Sequence, residues 1–266
     1  MPLLEIEGLT VRFGGLTAVS SLDLSVEAGA LVALIGPNGA GKTTAFNVIT
    51  GIYAPSSGSV RFDRHEIGGA SPHRISAHGI ARTFQNIRLF RSLSALENVR
   101  AALAGARRSG FRDVLRGSKW TLRERSLEQH ARELLARLGL ERLADATADA
   151  LPYGEQRRLE IARALATHPR LLLLDEPAAG MNPSEKEALR NLVARLREEF
   201  GVSIVLIDHD VAFVMNLCDR ISVLDHGEKI AEGSPDVVRR DPRVIEAYLG
   251  SDLSEEGASS RPSLPR

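Results

Sequence analysis

The sequence predicts an α/β fold: a parallel sheet whose strands feed helices, a small β-rich layer ahead of it, and an inserted stretch that is wholly helical. Three observations carry this. Ala30–Ile35 and Leu171–Leu174 are continuous apolar runs of strand length, as strands buried on both faces are. Leu4 and Ile6, then Leu22, Leu24 and Val26, alternate with polar residues, as half-buried strands do. From about Asn86 to Asp149 the apolar period turns helical.

Composition sets the outer limits. The 266 residues fit one large domain, or a domain with a subdomain, and 43% apolar content is ordinary for a globular chain. A formal net charge of zero gives no global pull toward nucleic acid or anionic lipid. A single cysteine, Cys218, excludes an internal disulfide framework and suits a reducing compartment. "MPLLEIEGLT" alternates like a strand rather than opening as a signal peptide. No apolar run approaches the roughly 18–20 residues of a membrane span. The expectation is a soluble, cytoplasmic chain, any membrane span being supplied by another chain. Basic residues outnumber Glu97, Asp113 and Glu124 between Arg82 and Arg125, which reads as a solvated helical face.

In chain order, Glu27-Ala28-Gly29 is a turn into the buried strand "ALVALIG". A helix follows from about Lys42 to Thr50, ended by Gly51, and Pro55-Ser56-Ser57-Gly58 turns into the strand "SVRFD". In the helical stretch Leu127, Ala131, Leu134, Leu135 and Leu138 share one face and Gly139 stops it. "LPYGEQRRLEIARALA" (151–166) buries Leu159, Ile161, Ala162 and Leu165, and Pro152, Tyr153 and Gly154 are expected to lead into its helix. After the strand "LLLLD", Ser184 and Glu187 have capping-box spacing, Leu189, Leu192, Val193, Leu196 and Phe200 form a buried face, and Gly201 closes the helix. "VSIVLID" is a further buried strand. Ile221–Leu224 and Lys229–Glu232 read as a hairpin joined through residues 225–228. Beyond about Ser251 the chain is Ser/Glu/Pro-rich and is expected to be disordered. There is no internal repeat.

Chemistry concentrates at strand ends. "GPNGAGKTT", comprising Gly36, Pro37, Asn38, Gly39, Ala40, Gly41, Lys42, Thr43 and Thr44, follows a strand and opens a helix. The glycines let backbone N–H groups curl around phosphate oxygens, and the helix start adds a positive dipole end. Lys42 can reach β- and γ-phosphates, and the Thr43 hydroxyl can ligand Mg²⁺. Asp175 ends a neighbouring strand, where a carboxylate can hold Mg²⁺ through water. Glu176, pointing differently, can orient or deprotonate an attacking water. His209 lies just beyond a third strand, and Gln85 ends another where the helical stretch begins; open α/β sheets bind ligands at such ends. A GTPase or small-molecule kinase would share the phosphate loop. A GTPase would add Asn-Lys-x-Asp, yet no Asn here is followed by Lys. A kinase has no need of residues 151–156 together with Glu176 and His209.

These motifs together resemble the ATP-binding subunit of ABC transporters, over about residues 3–250. The resemblance implies a P-loop NTPase with a RecA-like core, an antiparallel β subdomain and a helical subdomain at about 86–150 that engages the transmembrane subunit. It implies a C-terminal family segment at about 233–250 and a 251–266 tail. It makes Phe13 the aromatic that stacks on adenine and residues 36–44 the phosphate loop. Gln85 becomes the nucleotide-sensing residue, Asp175 the Mg²⁺ carboxylate, Glu176 the catalytic base and His209 the γ-phosphate contact. Thr43, Gln85 and Asp175 are the implied Mg²⁺ set. Residues 178–183 occupy a loop that crosses the dimer interface. Pro152, Tyr153, Gly154, Glu155 and Gln156 stand where Leu-Ser-Gly-Gly-Gln/Glu is expected, a signature that completes the ATP site of the opposite subunit. Pro152 and Tyr153 replace its Ser and first Gly, Asn182 replaces the usual interface-loop Asp, and Asp208 stands where a Glu often precedes the histidine.

"RTFQNIRLFRSLSALENV" (82–99), "YGEQRRLEIARAL" (153–165), "LDEPAAGMNP" (174–183) and "DPRVIEAYLG" (241–250) are similar to one subfamily, the ATPases of bacterial branched-chain amino-acid importers. Urea and amide importers share much of this, and a non-transport ABC ATPase acting on nucleic acid is the more distant alternative. The implied partners are a second ATPase subunit, transmembrane permeases and, indirectly, an extracytoplasmic solute-binding protein, with no nucleic acid. The implied cofactors are ATP and Mg²⁺, and the implied place is the cytoplasmic face of the inner or plasma membrane.

Overall fold

The computed structural model describes residues 1–106 and 117–248. The 251–266 tail and Asp113 of the basic stretch lie outside the described residues. The chain forms two compact units, Met1–Pro72 with Val205 onward, and His73–Ile204. In chain order come β1 (Leu4–Phe13), β2 (Leu16–Val26), β3 (Leu31–Ile35), α1 (Lys42–Ile49), β4 (Ser57–Phe62), β5 (His65–Glu66) and α2 (Pro72–Ala77). The second unit continues with β6 (Ile80–Arg82), α3 (Ala95–Ala106), α4 (Gly117–Arg137), α5 (Tyr153–Leu165), β7 (Leu171–Asp175) and α6 (Pro183–Phe200). Then follow β8 (Ser203–Ile207), α7 (Val211–Met215), β9 (Arg220–Asp225), β10 (Glu228–Gly233), α8 (Pro235–Val238) and a last helix over 242–248.

The first unit contains an antiparallel sheet in the order β2-β1-β4-β5. Leu4 and Ile6 face inward, and then the register shifts at Gly8 (φ 56°) so that Leu9 and Val11 take over the buried face. A bulge accounts for the change of parity, because one extra residue flips every later side chain. A Cβ at Gly58 would lie 2.4 Å from the Gly8 carbonyl, so β4 can approach β1 only as glycine there. A parallel arrangement joins β3 to β9, with Val32–Ile35 opposite Arg220–Val223. β10 returns antiparallel through His226 and Gly227, both at positive φ, so the turn is two residues long. Every residue of β3 is buried, as its unbroken apolar run requires. Each such Leu, Ile or Val contributes roughly 1.5–3 kcal/mol by leaving water.

In the second unit β6 runs parallel to β7, with Ile80–Arg82 opposite Leu171–Leu173. The expected face of α4 is buried at Leu127, Ala131, Leu134, Leu135 and Leu138. Gly139 (φ 72°) ends that run, with Leu140 N–H donating to Leu135 O and Gly139 N–H to Ala136 O.

Two helix starts differ from the sequence reading. The box that opens α6 is Asn182 with Glu185, not Ser184 with Glu187. Glu185 N–H donates to the Asn182 side chain at 3.0 Å, and Asn182 N–H donates to the Glu185 carboxylate at 2.8 Å. Pro183 sets this boundary: it fits the first helical position, where no N–H is needed, and leaves Asn182 as the cap. The second difference is α5, which begins at Tyr153 with Pro152 as its cap, so Tyr153 and Gly154 are already helical. Pro152 has the extended ψ of a cap (φ −55°, ψ 155°), and the helical turn runs on through Tyr153 and Gly154.

Candidate functional site

The phosphate loop is built by packing that excludes side chains. A Cβ at Gly36 (φ 148°) would sit 2.0 Å from Leu224 O, and one at Gly41 (φ 100°) would sit 2.5 Å from Ala18 O. Gly39 (φ 80°) has open space instead, so only its backbone conformation demands glycine. The hairpin turn supports the loop, with Gly227 N–H donating to Ala40 O at 3.1 Å. α1 starts at Gly41 with no side-chain cap. The buried Lys42 ammonium folds back over the loop and donates to Gly36 O at 2.7 Å and Pro37 O at 2.8 Å. Asn38, Gly39 and Thr43 are exposed, Pro37 and Thr44 half-buried, and Ala40 buried. The arrangement offers backbone donors, a helix start and one cation to a phosphate chain.

The first unit holds further candidate residues. Phe13 is 43% exposed and meets Tyr53 edge-on, with ring centroids 5.1 Å apart. Sequence reasoning found Phe13 and missed Tyr53, whose only sequence signal was a lone aromatic after a helix. His209 presents an exposed ring whose Nδ1 lies 3.8 Å from the buried Asp208 carboxylate. Asp208 itself accepts from Asp210 N–H, and Asp210 caps α7 through Phe213 N–H, so the turn carrying His209 is held by two carboxylates. Burial pushes the phenol of Tyr248, on the 242–248 helix, up to about 12, against the opposing effect of the Gly36 backbone.

The second unit holds the carboxylates. Asp175, at the end of β7, accepts from Arg82 Nη2 at 2.7 Å in a nearly fully buried ion pair. Glu176 follows at φ 47°, a left-handed conformation costing on the order of 1–3 kcal/mol in a non-glycine residue. It accepts from Gln85 Nε2 at 2.8 Å. The structure thus brings Gln85 and Glu176 together, and gives Asp175 the partner Arg82, which sequence reasoning did not name.

At the signature, Pro152 makes no side-chain cap bond, and Gln156 closes on the preceding loop through Leu151 O at 2.7 Å. Glu155 supplies the acidic residue of the first turn. Gly154 faces open space except for Glu185 Oε1, 3.8 Å from where a Cβ would be. The Tyr153 ring lies against Gly180 of the 178–183 loop. Behind this face sits Arg157, fully buried and paired with Glu160 at 2.8 Å. The pair was legible only as helical i,i+3 spacing.

A family profile described as "ABC transporter" matches residues 19–179, and one described as "Branched-chain amino acid ATP-binding cassette transporter" matches residues 228–253. The chain is 46% identical over 250 residues to the high-affinity branched-chain amino acid transport ATP-binding protein BraF of Pseudomonas aeruginosa, across 94% of this chain and 98% of that one. LivG of Escherichia coli K12, of the same description, is 43% identical with the same coverage. Among solved structures, the ADP conformation of MJ1267, an ATP-binding cassette of an ABC transporter, aligns with a TM-score of 0.83 at 33% identity, over 94% of this chain and 99% of that one. The dimeric post-hydrolysis structure of the cassette MJ0796 with ADP and Pi aligns with a TM-score of 0.72 at 28% identity, over 87% and 98%.

Proposed function

The chain belongs to the ABC transporter ATP-binding family, and on that premise we propose that it is the ATP-hydrolysing subunit of an importer for branched-chain amino acids. The single observation that carries ATP binding is the phosphate loop, where Gly36 and Gly41 exclude side chains by contact and Lys42 is held over the loop. The relatives named for branched-chain amino acid transport, matched over nearly their whole length, support the solute class. Among the described residues no helix is long and apolar enough to cross a membrane, so on this reading separate permease subunits carry the solute.

Each residue has a role that its place supports. Phe13, exposed, stacks on adenine. Residues 36–44 bind the phosphates. Thr43, Gln85 and Asp175 would hold Mg²⁺, partly through water, and the ion would offset phosphate charge. Their donor types suit a hard cation: a hydroxyl, an amide oxygen and a carboxylate, the last also accepting from Arg82. Glu176 takes a proton from the attacking water, Gln85 positions that carboxylate, and His209 contacts the γ-phosphate. Residues Pro152–Gln156 serve the nucleotide of a second ATPase subunit. The assembly sits at the cytoplasmic membrane face, fed by an extracytoplasmic solute-binding protein.

Glu176→Gln tests the hydrolytic step. It keeps size and hydrogen bonding but removes the base, so ATP stays bound while turnover falls about 10²-fold or more. Loss of ATP binding instead would make Glu176 a binding or structural residue. For the solute, the complete transporter in vesicles should hydrolyse ATP faster with leucine-loaded binding protein. Stimulation by a urea- or amide-loaded protein in its place would assign the chain to those importers.

A further inference from the structure

Arg157 is a buried cation with an unusual set of partners. Its Nη1 donates to Phe84 O at 2.7 Å and to Glu160 at 2.8 Å. Its Nη2 donates to Gln85 O at 2.9 Å and to the Tyr153 hydroxyl at 3.1 Å. Glu160, also buried, accepts from Phe84 N–H at 3.3 Å and Arg88 N–H at 3.2 Å. One guanidinium therefore ties the backbone of the Gln85 loop to the side chain of the second residue after Leu151 in the signature. Burying a charge costs desolvation, and the four bonds from Nη1 and Nη2 offset it here while Nε is buried without a bond. The tie also accounts for tyrosine where the family has glycine: the hydroxyl reaches Arg157 while the ring covers Gly180.

We propose that Arg157 is a positioning residue that locks the Gln85 loop and the Tyr153 signature turn into one rigid piece. The loop that holds Glu176 in one ATP site then moves together with the turn that completes the other. This rests on the two-subunit reading above for its consequence, but the tie itself lies within one chain.

The test is a cycle of Arg157→Lys, Tyr153→Phe and their double variant. Lysine keeps the charge but, as a point charge, cannot bridge two carbonyls and a phenol in one plane. Tyr153→Phe deletes one hydroxyl and keeps the ring, so the cycle stays readable if Arg157→Lys folds poorly. In the isolated chain, hydrogen exchange should rise at residues 84–88 and 151–153 together in each variant. In the complete transporter, Arg157→Lys should lower kcat about tenfold with KM for ATP within about twofold, because misplacement acts on the reacting geometry and not on phosphate binding. Tyr153→Phe should lower kcat about threefold, and the double variant should be no worse than Arg157→Lys alone. Multiplying effects, or exchange rising at one segment only, would overturn the tie. A matched fall in kcat and rise in KM would show a structural role and overturn it too. The exchange measurement needs no second subunit, so it decides the tie even where the two-subunit reading fails.

Discussion

Two helices of the same unit begin in opposite ways. α6 is closed by its own side chains: Asn182 and Glu185 satisfy each other's backbone N–H groups, and the Ser184 hydroxyl donates to Asn182. α5 begins at Pro152 with no side-chain cap at all. The same contrast recurs elsewhere. α3 is closed by Ser94 and Glu97, whose side chains each accept the other's N–H, whereas α1 begins uncapped at Gly41. The first N–H groups of a helix need partners, and an anion is one. Among the described helices α1, α5 and the short α8 start without a side-chain cap bond, and the first two are the phosphate loop and the signature, where the proposed function puts nucleotide phosphate. On the proposed function the donors left open at α1 and α5 serve a ligand, whereas α3, α6 and α7 are closed by side chains.

Breaking the open end of α1 should have the largest effect. Lys42→Ala removes the cation over the loop, so ATP binding should weaken and hydrolysis be lost in the purified transporter. Hydrolysis at the wild-type rate would detach the loop from function. Next, if α5 is open toward another subunit, the lone chain should be a poor ATPase. Equal turnover for the lone chain and the complete transporter contradicts that.

The closed ends should respond in stability instead. Asn182→Ala deletes a capping box and should cost about 1 kcal/mol in chemical denaturation, whereas Pro152→Ala, which removes no cap, should cost a few tenths at most. Equal costs would erase the contrast between α5 and α6. The smallest effect is at α3. The Glu97 carboxyl is held below its ordinary 4.5 by the Ser94 backbone N–H first, then by the Ser94 hydroxyl and Arg100. Its folded value is lowered, so its contribution is fully present above the unfolded value of 4.5 and fades as pH falls through the lower folded value. Melting curves of Glu97→Gln and wild type should differ slightly at neutral pH and converge in acid; a difference that grows in acid reverses the sign and rejects the cap.

The sequence made the phosphate loop legible because its glycines, lysine and threonines carry their chemistry in local spacing. The parallel strands were legible for a similar reason: Leu171–Leu174 can be unbroken only where both faces are buried. Helix starts were harder to read. Ser184 and Glu187 have the right spacing, but so do Asn182 and Glu185, and Pro183 decides between them by fitting the first helical position. The distant partners of Arg82 and Arg157 were out of reach altogether. Arg157 bonds to carbonyls 72 and 73 positions away, and Arg82 to a carboxylate 93 away, so only the fold brings them together.

Gly154 tests the central claim most directly, that the open start of α5 serves a phosphate its own chain does not hold. A side chain there has room within this chain, with the Glu185 carboxylate its one near neighbour, so Gly154→Asp should fold with a thermal midpoint lowered only slightly by that like charge and still bind ATP at its own loop. Its carboxylate would face the partner's γ-phosphate and repel it. Site-resolved hydrolysis in the complete transporter should then show turnover at the partner's site falling about tenfold or more, from lost electrostatic complementarity to the phosphate. A normally folded Gly154→Asp transporter that hydrolyses ATP at the wild-type rate would contradict the account and reduce residues 151–156 to an ordinary helix start.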